Sequence, residues 1–356
     1  MVAAAPVHAD LLVGDFNNHK VLRFSDTGAL IGTFGQAGDE VGLGIPGGIT
    51  FDSAGRTYVK SMTSGDILRF TVTGTFLDVF GNARSGAQRG LAFDSNESLW
   101  LRRIQSAGTF GNEIVRIDTS GNIVQTFNSG LAGLGGAILD RNDVLYVPRA
   151  ELTDDTGNLT DGIYRFTTDG TALGVFGQAT GAISGCRLPG SVAFDSVGRL
   201  YVSSDGRILR YSTTGDYLGV FATGNIGGYI MLDPLDNVYI GHGSENGVMK
   251  YGPQGNFLGK IISAGLGGVP ANFRNEAIAY IPPIPEPGCS LLLVTTTFTL
   301  LRRNRRIRSG AGDGNDTLVG RAGAAACLML MRPFRGSINS CRSMCTCPVA
   351  PRGPRR

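Results

Sequence analysis

The chain has 356 residues, of which 42% are hydrophobic and 17% charged, and its 54 glycines are spread along the sequence. This composition is that of a folded protein and excludes collagen-like and largely disordered chains. The residues from Cys289 onward hold 12 Arg and two Asp, giving +10, so the first 288 residues carry −7 of the total of +3. An acidic main domain argues against a nucleic-acid partner.

The first nine residues, 1–9, contain Val7 and Ala9 before Asp10, and this small-x-small pattern suits a signal-peptidase site. A charged region and an apolar core do not precede it, so we expect the end of a truncated signal peptide. The alternative is an unstructured Ala-rich terminus.

A four-part unit recurs along residues 10–281. Its shortest copy, from Ser191 to Phe221, reads SVAFD, RLYVSS, RILRYS and DYLGVF, separated by turns rich in Ser, Gly, Asp and Thr. The third part recurs as VLRF, ILRF, IVRI, IYRF, ILRY and VMKY. Four short strands with a period near ~40 to 50 residues are typical of a propeller blade.

The two ends of this region predict the number of blades. The first copy begins at its second strand, at Leu11, whereas the last copy is followed by an isolated first strand from Glu276 to Ile281. If that strand completes the N-terminal blade, the ring closes without an open edge. We therefore expect an all-β, six-bladed propeller of four-stranded blades over residues 10–281.

The segment from Gly14 to Phe34, GDFNNHKVLRFSDTGALIGTF, resembles an NHL repeat, with Asn18 and His19 at the namesake positions. The other copies keep the strands and the Gly turn but lack Asn-His. The resemblance implies an NHL-type propeller. It leaves function open, because propellers serve in binding, scaffolding and catalysis.

Several charged and aromatic side chains are predicted at one rim of the ring. In a propeller, the loops that leave second strands and those that enter first strands share this rim. A partly cationic patch there would bind an anionic glycan or a peptide carboxylate through arginine forks. Its predicted members are Lys60, Arg102, Arg103, Arg149 and His242 after second strands, and Arg89, Tyr229 and Glu276 before first strands. The alternative is that the arginines are solvated or paired with turn aspartates.

The longest insertion, from Glu151 to Gly162, is a candidate calcium site. Its oxygen-bearing side chains are Asp154, Asp155, Asn158 and Asp161. Their spacing differs from that of an EF-hand, so a polar surface loop is the default expectation and no cofactor is assigned.

Catalytic signatures are few, since the chain has three histidines and no nucleophile elbow, zinc-binding pair or phosphate loop. Six-bladed lactonases of the gluconolactonase and regucalcin type hold a divalent metal with inward Glu, Asn and Asp side chains from several blades. This sequence offers Glu276, Asn275 and Asp15, without a third and fourth acid at equivalent strand starts. Antibiotic lyases of similar shape use a central His, for which His242 is the candidate. We expect His19 and His242 to be loop residues.

Residues 282–306 combine a Pro-rich linker (282–288), an apolar stretch and an arginine cluster (289–306). This order resembles the PEP-CTERM sorting signal of Gram-negative bacteria that make exopolysaccharide. The resemblance implies that an exosortase recognises Pro285, Glu286 and Pro287 and processes the chain at the membrane. The cluster of Arg302, Arg303, Arg305 and Arg306 would hold its end on the cytoplasmic face. The apolar part, Cys289 to Leu301, would make a short span of about 20 Å as a helix.

Residues 307–356 have no apolar periodicity, and we expect a disordered basic tail. The leading hypothesis is an exported, non-enzymatic surface protein that is briefly anchored in the membrane and binds an exopolysaccharide or an envelope protein through its rim. The alternatives are a secreted lactonase or lyase acting on sugar-derived substrates and, against the acidic charge, an RNA-binding module.

Overall fold

The structure is a computed structural model that describes residues 10–35, 43–83, 90–103, 113–130, 136–149, 162–177, 189–226, 228–242 and 246–281. These residues form six four-stranded antiparallel sheets, the blades of a propeller. The predicted fold class and blade number are confirmed. The segments 1–9 and 282–356 lie outside the described residues.

Blades 2 to 6 each consist of four consecutive strands, whereas blade 1 combines the first three strands with the last one, β24. Blades 1 to 3 contain β1 (Asp10–Asp15), β2 (Lys20–Ser25), β3 (Leu30–Phe34); β4 (Pro46–Phe51), β5 (Thr57–Ser61), β6 (Asp66–Phe70), β7 (Phe76–Asn82); and β8 (Ala92–Phe93), β9 (Leu99–Arg103), β10 (Glu113–Ile117), β11 (Ile123–Asn128). Blades 4 to 6 contain β12 (Ile138–Leu139), β13 (Leu145–Arg149), β14 (Gly162–Phe166), β15 (Ala172–Phe176); β16 (Pro189–Phe194), β17 (Leu200–Ser204), β18 (Gly206–Tyr211), β19 (Tyr217–Ile226); and β20 (Ile230–Leu232), β21 (Val238–His242), β22 (Gly247–Tyr251), β23 (Phe257–Ser263). The final strand is β24 (Asn275–Ile281).

The ring is closed by β24, which is the first strand of blade 1. It pairs antiparallel with β1, from Asp10 opposite Ile281 to Asp15 opposite Asn275. Blade 1 therefore has the strand order β24-β1-β2-β3, in which the first and last described strands are neighbours. This pairing confirms the predicted closure and satisfies the backbone groups along the inner side of β1.

Second-strand side chains alternate between the two neighbouring blades, as a strand period of two requires. Tyr58 packs edge-on against Phe80 at 5.0 Å and against Phe93 of blade 3 at 4.9 Å between ring centroids. The next residue, Val59, packs on the opposite side with Leu12 of blade 1. The core is therefore made of apolar layers between successive blades, and each blade needs both neighbours.

The basic residue that recurs in the third strand has a structural role. Its charged end lies over an aromatic ring in five blades, at 4.9 to 5.9 Å from the ring centroid; the residues are Arg69, Arg116, Arg165, Arg210 and Lys250. In blade 1, Arg23 instead pairs with Asp10. A long cationic side chain covers the apolar layer with its stem and keeps its charge over the ring face.

The two rims of the ring differ in how regular their connections are. The connections from first to second strands and from third to fourth strands are four or five residues long, such as 26–29, 52–56, 94–98 and 118–122; we call this end the turn rim. The opposite end, the variable rim, carries connections from one residue (205) to twelve (150–161). Length variation on one rim of a constant scaffold is typical of the face that carries function.

Candidate functional site

The first strands of the six blades surround a central channel with a cavity of about 130 Å³. Its lining is small or apolar apart from Ser191 and Tyr229, and glycines contribute from several blades. At Gly90 a Cβ would lie 2.6 Å from the Cα of Gly136, so glycine there allows two neighbouring first strands to approach. Ser191 and Tyr229 are therefore the polar side chains that line this cavity.

At the junction of blades 6 and 1, Tyr229 and Glu276 come together. The Tyr229 hydroxyl donates a hydrogen bond to Glu276 Oε1 at 3.2 Å, and the Glu276 side chain is buried. Arg274 Nε lies 3.9 Å from Oε2 of the same carboxylate. Because Tyr229 also lines the cavity, the carboxylate lies directly behind the channel mouth. These two residues were predicted to share a rim, and the structure places them in contact.

Asn275 is the buried polar group of this corner that lacks partners. Its residue is 2% exposed, and neither Nδ2 nor Oδ1 has a hydrogen-bond partner. A Cβ at Gly241 would lie 2.1 Å from Asn275 Nδ2, so the amide occupies space that a side chain at Gly241 would fill. A buried amide without partners costs about 1–3 kcal/mol. Its donor and acceptor are therefore available to hydrogen-bond a ligand.

Asp15 holds together two connections of the variable rim. Its carboxylate accepts from the Asn18 side chain at 2.6 Å and from the backbone N–H groups of Asn17 and Arg274 at 3.2 Å each. The Arg274 guanidinium stacks over Phe16 at 4.3 Å. Asn18, one of the namesake residues, thus serves to brace this corner. His19 is an exposed loop residue with a φ of 52°, as expected.

Lys60 lies within β5 and not after it, which corrects the predicted position. It pairs across the sheet with Gly48, which lines the channel. The side chain is on the same face as Tyr58, toward blade 3, and the residue is 0% exposed. Nζ has no hydrogen-bond partner, and burial lowers the pKa of this amine to about 8.

Arg102, Arg103 and Arg149 lie in the last two positions of their second strands, whereas they were predicted to lie just after them. Arg102 is fully buried, and burial lowers the pKa of its guanidinium to about 10. Arg103 Nε donates to Glu113 Oε2 at 2.8 Å, so its partner is the first residue of the third strand and not a turn aspartate. Arg149 lies over the Tyr164 ring at 5.8 Å. The arginines are therefore built into the blade interfaces.

Most of the remaining predicted residues lie outside the described residues. Arg89, the insertion with Asp154, Asp155, Asn158 and Asp161, and the segment with Pro285 to Arg306 belong to undescribed stretches. His242 is the last residue of β21, where a loop was expected, and its side chain is not described.

Across the described ranges, three or more His, Cys, Asp or Glu side chains do not gather into a group that suits a metal ion. A helix long and apolar enough to cross a bilayer is likewise not found in that part of the chain.

Sequence reasoning missed two contributors to the variable rim, Glu113 and Ser203. Glu113 is the buried partner of Arg103, and Ser203 Oγ accepts from the Ser191 backbone N–H at 2.8 Å beside the channel. Ser203 occupies the same register in blade 5 as Lys60 in blade 2, because Leu200 and Thr57 pair with the equivalent residues Tyr211 and Phe70. Aligning the second strands residue by residue would have identified this position.

No protein-family model and no curated protein matches the chain in sequence. Solved structures match it in fold. A chain from a nidogen–laminin complex has a TM-score of 0.59 at 16% identity, with 78% of this chain and 100% of that chain covered. A protein of unknown function from Bacteroides caccae has a TM-score of 0.54 at 12% identity, with 77% and 99% covered.

Two enzymes share the same fold. A gluconolactonase from Xanthomonas campestris has a TM-score of 0.50 at 18% identity, with 74% of this chain and 90% of that chain covered. A streptogramin B lyase has a TM-score of 0.50 at 13% identity, with 72% and 80% covered. At these identities the similarity shows the six-bladed propeller fold alone, because proteins that share a fold differ in function.

Proposed function

We propose that this propeller is a non-catalytic binding protein whose variable rim binds a glycan of the cell envelope. The observation that carries the proposal is the buried, unpartnered amide of Asn275 beside the Tyr229–Glu276 pair at the channel mouth. An amide, a carboxylate and a phenol within one corner can donate to and accept from neighbouring sugar hydroxyls.

The contrast between the two rims supports this choice of surface. On the turn rim, the Asp195 carboxylate is occupied by its own turn, because Oδ1 accepts from the backbone N–H groups of Val197 at 3.1 Å and Arg199 at 2.8 Å. On the variable rim, Asn275 and Lys60 keep unused hydrogen-bonding capacity. A buried polar group that the fold leaves unsatisfied is a candidate for ligand contact.

Retention of the full-length protein on immobilised polysaccharide from its own host tests the proposal. Asn275→Ala should weaken retention at least about tenfold, because it removes both hydrogen-bonding atoms. The matched control is Leu235→Ser, which changes a residue of the turn rim that is 68% exposed. Equal retention of the wild type and both variants would refute the assignment of the rim. Retention on envelope protein in place of polysaccharide would identify a protein ligand.

We also propose that the protein is exported and sorted through residues 282–306. The proline-rich linker, apolar stretch and arginine cluster support this, since they occur in the order that the sorting signal requires. Intact-mass analysis of protein from separate envelope and medium fractions should give a chain that begins near Asp10 and ends near Pro285. A full-length chain in the cytosol would refute both export and sorting.

A second candidate is a secreted lactonase or lyase on sugar-derived substrates. It is favoured by the placement of Glu276 and Asn275 beside Tyr229, which lines the channel. Hydrolysis of a lactone panel with and without added divalent metal, in the wild type and in Glu276→Gln, tests it. Turnover that depends on Glu276 would replace the binding proposal, and absence of turnover in every condition would remove this candidate.

A further inference from the structure

Lys60 carries a positive charge that the described part of the protein does not compensate. Its residue is 0% exposed and Nζ has no hydrogen-bond partner. A buried ammonium is costly unless it is paired, and lysine is among the residue types least often fully buried. The cause of the lowered pKa is burial alone, without a contribution from a neighbouring acid.

The fold does not require a lysine at this position, as the other blades show. The same register in the second strands of blades 1, 3, 4, 5 and 6 is occupied by Gly14, Arg102, Pro148, Ser203 and Gly241. Small or neutral residues therefore satisfy the geometry in four blades. A long cation at this register is confined to blades 2 and 3, which are neighbours in the ring.

Among the described residues, the groups that face Lys60 leave one excess positive charge. Strand β4 presents no charged residue, and β6 contributes Arg69, which is paired with Asp78. From blade 3, β8 has no charged residue, while β9 and β10 contribute Arg103 and Glu113, which pair with each other. Within the described part of this interface, the Lys60 ammonium is thus the charge that has no partner.

Lys60 also lies close to the central channel. Its cross-strand partner Gly48 lines the channel, and Gly90 of blade 3 lines it next to Gly48. A Cβ at Gly48 would lie 3.4 Å from Gly90 N, so the two first strands are in contact at this level. A ligand group at the channel mouth would therefore lie beside Gly48, the residue that pairs with Lys60 on the adjacent strand.

We propose that the Lys60 ammonium is a specificity determinant that binds a carboxylate of the ligand at the interface of blades 2 and 3. This inference rests on the proposed binding function and narrows its ligand class to acidic glycans. A lysine acts there as a point charge, and a carboxylate would restore both the hydrogen bonds and the charge balance that the interface lacks.

The first experiment uses acetate as a carboxylate probe and requires no knowledge of the natural ligand. Thermal unfolding of the full chain is followed at pH 7 while acetate replaces chloride at constant ionic strength. The wild type should gain a few degrees in Tm at ~100 mM acetate, because the probe binds the native state alone. Lys60→Met should lose this gain, and Lys20→Met, which removes an equal but exposed charge, should keep it. An equal gain in the wild type and Lys60→Met would overturn the proposal.

A direct measurement covers the case in which Lys60→Met does not fold. In the wild type with isotope-labelled lysine, acetate should move the Lys60 side-chain titration to higher pH, since an adjacent carboxylate favours the charged amine. An unchanged titration would overturn the proposal without any variant.

The second experiment separates this inference from the proposed function. Full-length protein is applied to immobilised polygalacturonate, to its uncharged methyl ester and to a sulfated polysaccharide. The wild type should prefer polygalacturonate to the ester by at least about tenfold, and Lys60→Met should bind both equally. Glycan binding with no preference for charge would overturn the role of Lys60 and leave the binding function standing. Preference for the sulfated polymer would replace the carboxylate with a sulfate.

Discussion

Asp143 in blade 4 accepts hydrogen bonds from both the backbone N–H, at 2.9 Å, and the hydroxyl of Ser95 in blade 3. Asp143 has a φ of 59°, a left-handed conformation that directs its carboxylate at the preceding blade. The same arrangement joins Ser196 to Asp236 between blades 5 and 6, at 2.8 Å from the backbone N–H. The turn rim therefore links successive blades through side chains, which assigns it a structural role.

We expect Asp143→Ala to destabilise the protein by about 1.5 kcal/mol, because it removes these acceptors and leaves an alanine in the left-handed region. Asp143→Gly should cost less, since glycine adopts that conformation freely. Urea unfolding of both variants checks this. A double-mutant cycle with Ser95→Ala isolates the contact, and a coupling energy of zero would contradict it.

Gly121 should not tolerate a side chain. Its φ is 87°, and a Cβ would lie 1.6 Å from the carbonyl oxygen of Phe80 in blade 2. We expect Gly121→Ala to cost at least about 3 kcal/mol, because the backbone of one blade must move away from the next. The matched control is Gly130→Ala, which has a φ of 67° and nothing within 4 Å, and should cost about 1 kcal/mol. Similar losses in urea unfolding would contradict the close contact between blades.

The stability of the protein should rise with pH in a window set by Lys60. Its pKa falls from 10.5 to about 8 on folding, because burial disfavours the charged amine. Below pH 8 the amine is charged in both states and the full penalty applies; above 10.5 it is neutral in both and the penalty vanishes. The wild type should therefore gain about 3 kcal/mol relative to Lys60→Met between these limits.

The quantity to measure is the difference in the free energy of unfolding between the wild type and Lys60→Met, obtained by urea unfolding from pH 7 to 10.5. Burial raises the pKa of Tyr239 in the folded state, so the contribution of Tyr239 to stability falls as pH rises. This contribution is common to both proteins. At pH 7, Lys60→Met should be the more stable of the two. A pH-independent difference would show that Lys60 is not desolvated.

Closure of the ring should be essential for folding. A chain that ends at Ile281 retains β24, whereas one that ends at Arg274 lacks it and exposes the inner side of β1. The longer chain should melt cooperatively, and the shorter one should aggregate or melt without cooperativity, because its apolar interface with blade 2 is lost. Circular dichroism melting of both chains checks this, and identical melting curves would contradict the role of β24.

Parts of the candidate site were predictable and parts were not. Tyr229 and Glu276 were assigned to one rim because strand direction in a blade fixes which end each residue occupies. Their hydrogen bond was not predictable, because it depends on the register shift between Gly14 and Asp15 where β24 pairs with β1. Lys60 was expected in a loop, since a charged residue near the end of a short strand is usually solvated.

The sequence by itself determined the six blades, their four-strand pattern and the closing strand. Those features follow from local signals, namely alternation of apolar residues, turn chemistry at positions such as Asp195 and Gly198, and a missing first strand at the N-terminal end. The tertiary structure decided which polar groups are buried and which remain without partners. Burial of Lys60 and the unpartnered amide of Asn275 arise at contacts between blades, where packing and register, and not local propensity, set the surroundings of a side chain.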